Sequence, residues 1–486
     1  MIATDTQIRK LSFLNNGQWE AGTGTLHPVT NPATGEVIAE VPYATAPEVD
    51  RVVRAAHEAF LKWRTIPVVD RVQVFYRYKA LLEKHHEELA RILTTENGKT
   101  FEDSKLEVRR GIQMVEVACG MPSLVMGDSL PDVSSGIDSI TIRQPLGVVA
   151  GITPFNFPNM VPMWMFPFAI ACGNSFVLKP SEKVPLSPTR TAELLQEAGL
   201  PAGVYSLVHG DKVAVDALLK HPLVRAVSFV GSTPVAKYIY STAATEGKRV
   251  QALGGAKNHL IVMPDAQLDK TVEAIMGSAF GAAGERCLAG SVLVPVGEVA
   301  EPLLDLLLEK TKAMKVGDGL RSSVDMGPVV TREHCQKITG YIEKGVAEGA
   351  TALCDGRESA PAGDGFFVGP TIFDHVDPGM TIAREEIFGP VLSVIRVKTL
   401  DDALNLVNSS PFGNTSSIFT SSGKSAREYA SRVEAGMIGV NIGVAAPMAF
   451  FPFSGWKQSF FGDLHAHGKD AVAFYTEQKV IMSRWF

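Results

Sequence analysis

Apolar and polar positions along the chain follow two periods that change at identifiable places. Up to about residue 43 they read as short strands and turns, and NPATGEVIAEV has a glycine-centred turn followed by alternating apolar residues. From 44 to 124 the spacing turns helical. Val49, Val52, Val53, Ala56 and Phe60 fall on one face, and VQVFYRYKALLEKHHEELARILTTENGKT extends the pattern to a glycine placed to cap it. These helices are expected to form a layer on a sheet.

The most regular signal begins at residue 147. GVVAGITPFN reads as a buried strand, 160–172 as a helix, SFVLKPS as a strand, SPTRTAELLQEAG as a helix, GVYSLVHG as a strand, 213–219 as a helix and AVSFVGS as a strand. Such alternation with short connections implies a mostly parallel sheet covered on both faces, with ligands at the carboxyl ends of its strands. Residues 153–156, 179–182, 231–233 and 253–255 stand at such ends. The dinucleotide fingerprint GxGxxG is missing, because the first strand end reads TPFNFP, so a dinucleotide has to be held in another way. A second alternating block, 258–441, suggests a second α/β domain. DSITIRQ and the terminal AFYTEQKVIMSRWF read as strands without a core of their own, expected to pair in one small sheet or with another subunit.

Composition narrows the class. The 486 residues are 45% hydrophobic and 20% charged with no biased tract, as in a soluble, well-packed chain of two or more domains. A net charge of −6 without a dense Lys/Arg run argues against nucleic acid as a partner, so a small anionic substrate needs local arginines. The five cysteines are scattered with no CxxC pair, which argues against a disulfide framework or metal site and fits a reducing cytosol. The N-terminus is polar where a signal peptide would be apolar, and the apolar run 160–172 is too short to span a bilayer and carries Pro162 and Pro167. A cytoplasmic protein with no membrane partner is expected.

The candidate chemistry centres on FGAAGERCLAG. Cys287 sits among small residues that let a substrate approach, and Arg286 beside it adds charge expected to favour the thiolate, which attacks carbonyl carbon. Against this, a free cysteine is among the most buried residue types and commonly inert. Cys172, in an apolar helix, fits that second description.

With PFNFP, FVLKPSE, FVGST, LGG, GERC, EEIFGP and PFSGWKQSFFGD in this order and at these spacings, the chain resembles the aldehyde dehydrogenase superfamily from end to end. Around GIQMVEVACGMP, ALGGAKNH and PFSGWKQSFFGDLHAHGKD it is similar to the CoA-acylating branch of methylmalonate-semialdehyde dehydrogenases. The resemblance implies an α/β fold of two open domains with a small β oligomerisation arm. The coenzyme domain is expected over 1–125 and 145–252, the catalytic domain over 253–456, and the arm over 126–144 and 457–486. It further implies a homo-oligomer, dimer or tetramer.

By position, the resemblance makes Cys287 the nucleophile and Asn156 the oxyanion-binding amide. Thr153, Phe155, Lys179, Glu182, Lys183, Ser232, Gly254, Glu386 and Phe388 match positions that contact NAD. Arg110, on the helix at the family's substrate entrance, and Arg286 are the candidate carboxylate readers, since a guanidinium fork suits a carboxylate. Hydrolytic members carry a glutamate immediately before LGG, and here that position is Ala252. Water, with a pKa of about 15.7, is a poor nucleophile without a base, whereas a thiol near 8.5 already supplies some thiolate, which points to coenzyme A as co-substrate. The expected activity is NAD-dependent oxidation of malonate or methylmalonate semialdehyde through a Cys287 thioester, with loss of CO2 and transfer to CoA. The alternatives are a hydrolytic aldehyde dehydrogenase that takes a base from elsewhere and a non-catalytic protein on the same fold.

Overall fold

The computed structural model describes residues 8–486, so the first seven residues of the polar N-terminus read above lie outside it. The alternating pattern from residue 147 forms an eight-stranded sheet. Its parallel centre consists of Arg249–Leu253, Val224–Val230, Val148–Ile152, Ser175–Lys179 and Tyr205–Leu207, in that spatial order. Phe13–Asn15 and Gln18–Glu20 extend one edge antiparallel, and Phe460–Phe461 extends the other. The chain leaves Val148–Ile152 toward Ser175–Lys179 on one side and returns on the other side at Val224–Val230, so a crevice opens at the carboxyl end of the central strand.

Helix Met160–Ala171 has an almost fully buried surface, as its uniformly apolar sequence demands, and Pro167 lies inside it. Among the described residues no helix is long and apolar enough to cross a membrane. The 44–124 region folds as expected into helices, among them Ala46–Trp63 with Val49, Val52, Val53, Ala56 and Phe60 buried, and Phe101–Cys119. The second helical run breaks at His85 into Gln73–Lys84 and His86–Asn97, and Gly98 (φ 94°) closes it as a left-handed cap.

The second block forms a seven-stranded sheet ordered Thr351–Cys354, Thr371–Asp374, Val391–Val394, Gly290–Pro295, Asn258–Val262, Thr415–Phe419 and Met437–Val440. All neighbours are parallel except the first pair. DSITIRQ and the C-terminus do pair with each other, in register from Thr476↔Pro145 to Arg484↔Ile137, with Ser129–Ser134 as the third strand. The C-terminal strand of this sheet begins at Thr476, and residues 457–475 do not belong to it. Phe460–Phe461 pairs with Ala252 and Leu253, and Gly468–Phe474 is a helix that buries Ala471, Val472 and Phe474 in the core.

Candidate active site

Helix Leu268–Ala279 ends in a turn, Gly281–Gly284, where Ala282 and Ala283 hold left-handed φ values of 49° and 52°. Gly284 is the residue that makes the turn possible, since its φ is 70° and a Cβ there would stand 2.3 Å from the Gly389 carbonyl oxygen. The small residues of FGAAGERC therefore let two backbones meet, and the loop emerges at Cys287. Its carbonyl oxygen accepts from Asn258 Nδ2 and Asn414 Nδ2, each at 2.9 Å, which fixes where the side chain departs.

Asn156 Nδ2 donates to Cys287 Sγ at 3.7 Å. The backbone beneath that amide is pinned, because Lys99 Nζ donates to the Asn156 carbonyl (2.5 Å) and Asn97 Nδ2 to that of Phe155 (3.0 Å). Lys99 is itself paired with Glu107 at 2.6 Å, both nearly inaccessible, and Glu107 also accepts from the Asn159 and Met160 amides at the head of helix Met160–Ala171. Burial pushes the Cys287 thiol up to about 11, the Glu386 charge adds to this, and the Asn156 amide opposes it. Arg286 does not supply the activating cation expected of it. Its guanidinium is committed to Asp103 Oδ1 (2.8 Å) and the Gly277 carbonyl (3.1 Å), so its charge is already met by a carboxylate.

Two cavities meet at the sulfur, and Cys287 is the residue common to both linings. The larger, 720 Å³, is the crevice at the sheet's switch point. Thr153, Phe155, Lys179, Glu182, Lys183, Ser232, Gly254, Glu386 and Phe388 all line it. Its groups fit a dinucleotide. Helix Thr233–Thr245 begins at Ser232, whose side chain makes no capping bond, leaving free N–H groups and a partial positive charge that suit a pyrophosphate. Thr153 Oγ1 is buried without a partner among the described residues. Burial raises the Glu182 carboxyl, but Lys179 at 3.1 Å, a backbone N–H and Lys183 outweigh it, so the group lies below the usual range and stays ionised. The Lys183 ammonium stands 4.8 Å over the Phe155 ring, which also meets Phe388 edge-on at 5.8 Å. Glu386 accepts from the Ala256 amide at 2.8 Å, and burial pushes its carboxyl up to about 7. The sequence reading missed His334, Lys337 and Tyr238 in this lining. Each lies on a helix whose other faces are ordinary, and no motif marks them.

The smaller cavity, 290 Å³, is mainly apolar, with Arg110 and Arg286 in its wall. Arg110 reaches only Gln113 Oε1 (3.3 Å) and Met448 Sδ (2.8 Å), so among the described residues it has no carboxylate partner, in contrast to Arg286. Arg109, next to it in sequence, turns outward to Glu83 and Glu116. Trp164 and His467 also line the pocket, unforeseen from the sequence, and Trp164 Nε1 and His467 Nε2 are buried with no partner among the described residues. Ala252 sits fully buried in its strand beside Phe229 and Phe461 and brings no carboxylate to the sulfur.

Residues 19–481 match the family model described as aldehyde dehydrogenase family. Malonate-semialdehyde dehydrogenase 2 of Geobacillus kaustophilus is 55% identical over 482 residues, which is 99% of this chain and 100% of that protein. The malonate-semialdehyde dehydrogenase of Halalkalibacterium halodurans is 55% identical over 98% of both chains. The crystal structure of methylmalonate-semialdehyde dehydrogenase from Oceanimonas doudoroffii superposes with a TM-score of 0.97 at 51% identity, covering 98% of this chain and 99% of that one. A Sinorhizobium meliloti protein ascribed the same activity and crystallised with NAD gives a TM-score of 0.97 at 47% identity, over 99% of each chain.

Proposed function

The chain belongs to the aldehyde dehydrogenase family, and from that premise we propose that it oxidises malonate or methylmalonate semialdehyde with NAD and passes the decarboxylated acyl group to coenzyme A. The observation that carries this reading is the position of Cys287, shared by a cleft that fits a dinucleotide and a small apolar pocket in which Arg110 has no carboxylate partner among the described residues.

The aldehyde enters the smaller pocket with its carboxylate on Arg110 and its carbonyl carbon on Cys287 Sγ. Attack by sulfur leaves an alkoxide that the Asn156 amide is placed to hold, a donor whose loss costs about 3–4 kcal/mol of transition-state stabilisation. When bound, NAD supplies the two-electron acceptor that turns the Cys287 adduct into a thioester. The ionised Glu182 accepts from a ribose hydroxyl and repels a 2′-phosphate, which favours NAD over NADP. With Ala252 before LGG no base activates water, so the thioester waits for the CoA thiol after CO2 is lost. The enzyme works in the cytoplasm as a homo-oligomer.

The test is a rapid-mixing experiment with malonate semialdehyde and NAD. One equivalent of NADH per subunit without CoA, becoming steady turnover when CoA is added, is the expected result. Steady release of free acid without CoA would identify the hydrolytic alternative, and no NADH at all would leave the non-catalytic one.

A further inference from the structure

Loss of CO2 from a thioester leaves an electron pair on the α-carbon, and that carbon must receive a proton inside a mainly apolar pocket. Few of the pocket's titratable groups are free to give one. Lys99 is bonded to Glu107 and the Asn156 carbonyl, and Glu107 also holds the Asn159 and Met160 amides. Asp103 is bonded to Arg286 and the Ala282 amide. Guanidiniums do not release protons in water, and Cys287 carries the acyl group.

His467 remains. It lines the same pocket as Cys287 and Arg110, is 1% exposed, and is held edge-on to Trp164 and Phe453 with ring centroids 4.8 and 5.8 Å away. Its Nδ1 stands 3.1 Å from the Phe451 carbonyl oxygen, which can only accept, so Nδ1 carries the hydrogen and Nε2 presents a lone pair. That nitrogen has no partner among the described residues. The backbone holds it there at a left-handed φ of 53° with ψ of −177°, a conformation that a non-glycine residue adopts only under constraint from its surroundings.

We propose that His467 is the catalytic acid that protonates the acyl α-carbon after CO2 is lost. The inference rests on the semialdehyde reading given above. Nε2 takes a proton from solvent as the substrate carboxylate enters, since burial and the nearby Arg110 otherwise keep the ring neutral, with its pKa pushed down to about 4. When the bond between carboxylate and α-carbon breaks, CO2 departs and the pair remains as the thioester enolate. The α-carbon then takes the hydrogen from Nε2, whose bonding pair returns to nitrogen as the lone pair. Carboxylate and one solvent proton have become CO2 and one C–H bond, with no oxidant or reductant consumed.

The test follows NADH and labelled CO2 in one turnover with malonate semialdehyde. Without the acid the enolate recaptures CO2, so in His467→Asn the net rate of CO2 release relative to the same variant's NADH burst is expected to fall by about 10²-fold, and CoA is expected to intercept carboxylated thioester as malonyl-CoA. A variant with the wild-type ratio and acetyl-CoA as sole product overturns the proposal. The wild type supplies a measurement independent of any folding defect. In D2O, methylmalonate semialdehyde should give one enantiomer of 2-deuteriopropionyl-CoA, and a racemate overturns delivery from a fixed acid. Wild-type enzyme that forms NADH but neither CO2 nor a decarboxylated thioester overturns the substrate reading itself, and does so before any variant is made.

Discussion

Cys287, the proposed nucleophile, is held as the thiol by its own surroundings, since burial and the Glu386 charge push it up to about 11 against the Asn156 amide and a backbone hydrogen bond. Well below that value the thiolate fraction rises tenfold per pH unit. Alkylation of the enzyme by iodoacetamide should therefore climb steeply from pH 7 to 9, and Cys287→Ala should abolish the climb at this site along with the NADH burst. Glu386→Gln should speed alkylation at pH 8, where the native carboxyl, titrating near 7, is charged and raises the thiol. The same rate in wild type and variant would separate Glu386 from the nucleophile. The two arginines should part company as well. Arg110→Leu removes an unshared cation and is expected to lower kcat/KM for malonate semialdehyde by tenfold or more, about 1.5–3 kcal/mol for a charge-assisted contact, with propanal oxidation nearly intact. Arg286→Leu leaves Asp103 unpaired and loosens the nucleophile loop, so both substrates should suffer. Cys287, Asn156 and the cleft residues were legible because each lies in a short motif. His467 and Trp164 were not, since His467, although inside PFSGWKQSFFGDLHAHGKD, and a tryptophan in an apolar helix carry no spacing that announces a pocket.

At the scale of elements, the junction of helix Phe101–Cys119 with the head of helix Met160–Ala171 carries the site. Glu107 on the first helix closes the amides of Asn159 and Met160, while Lys99 ties the same carboxylate to the backbone of Asn156. Removing one partner of a buried ion pair leaves the other charge uncompensated, which typically costs 3–5 kcal/mol. Lys99→Met is expected to lower stability toward urea by about that amount and to slow the NADH burst, because the Asn156 amide, the proposed oxyanion donor, loses its support. A variant with unchanged denaturation would mean that the pair is dispensable. Alternating apolar runs located most strands and helices, and failed where polar side chains line a core strand. Thr415–Phe419 begins with TSS and was missed, yet it is fully buried, because Thr415 and Ser416 give their hydroxyls to the Met437 and His259 carbonyls across the sheet. The single helix read across His85 is two helices, a break that the spacing of apolar residues does not record.

For the whole molecule, periodicity disclosed two mostly parallel sheets and two strands without a core of their own, but the meeting of Asn156 and Cys287, 131 residues apart, was legible only through resemblance. The pairing of the arm strands could be read more directly, since neither has a core of its own, and its surface bears on the proposed subunit contact. Leu130 and Met482 both stand opposite Ser139, and Val480 lies two residues before Met482, so the three share one face. They are 57%, 66% and 61% exposed, and among the described residues no residue of the arm sheet belongs to a hydrophobic core, which ends at Tyr475 beside the buried Thr476. A three-stranded sheet with an uncovered apolar face needs a cover to be stable in water, and an arm projecting identically from every copy makes another subunit the natural one. Val480→Lys together with Met482→Lys should shift the protein to a smaller assembly by light scattering. The far-ultraviolet dichroism should change little, because the substituted side chains lie outside both large cores. If the assembly size stays the same, the apolar face of the arm is not a subunit contact.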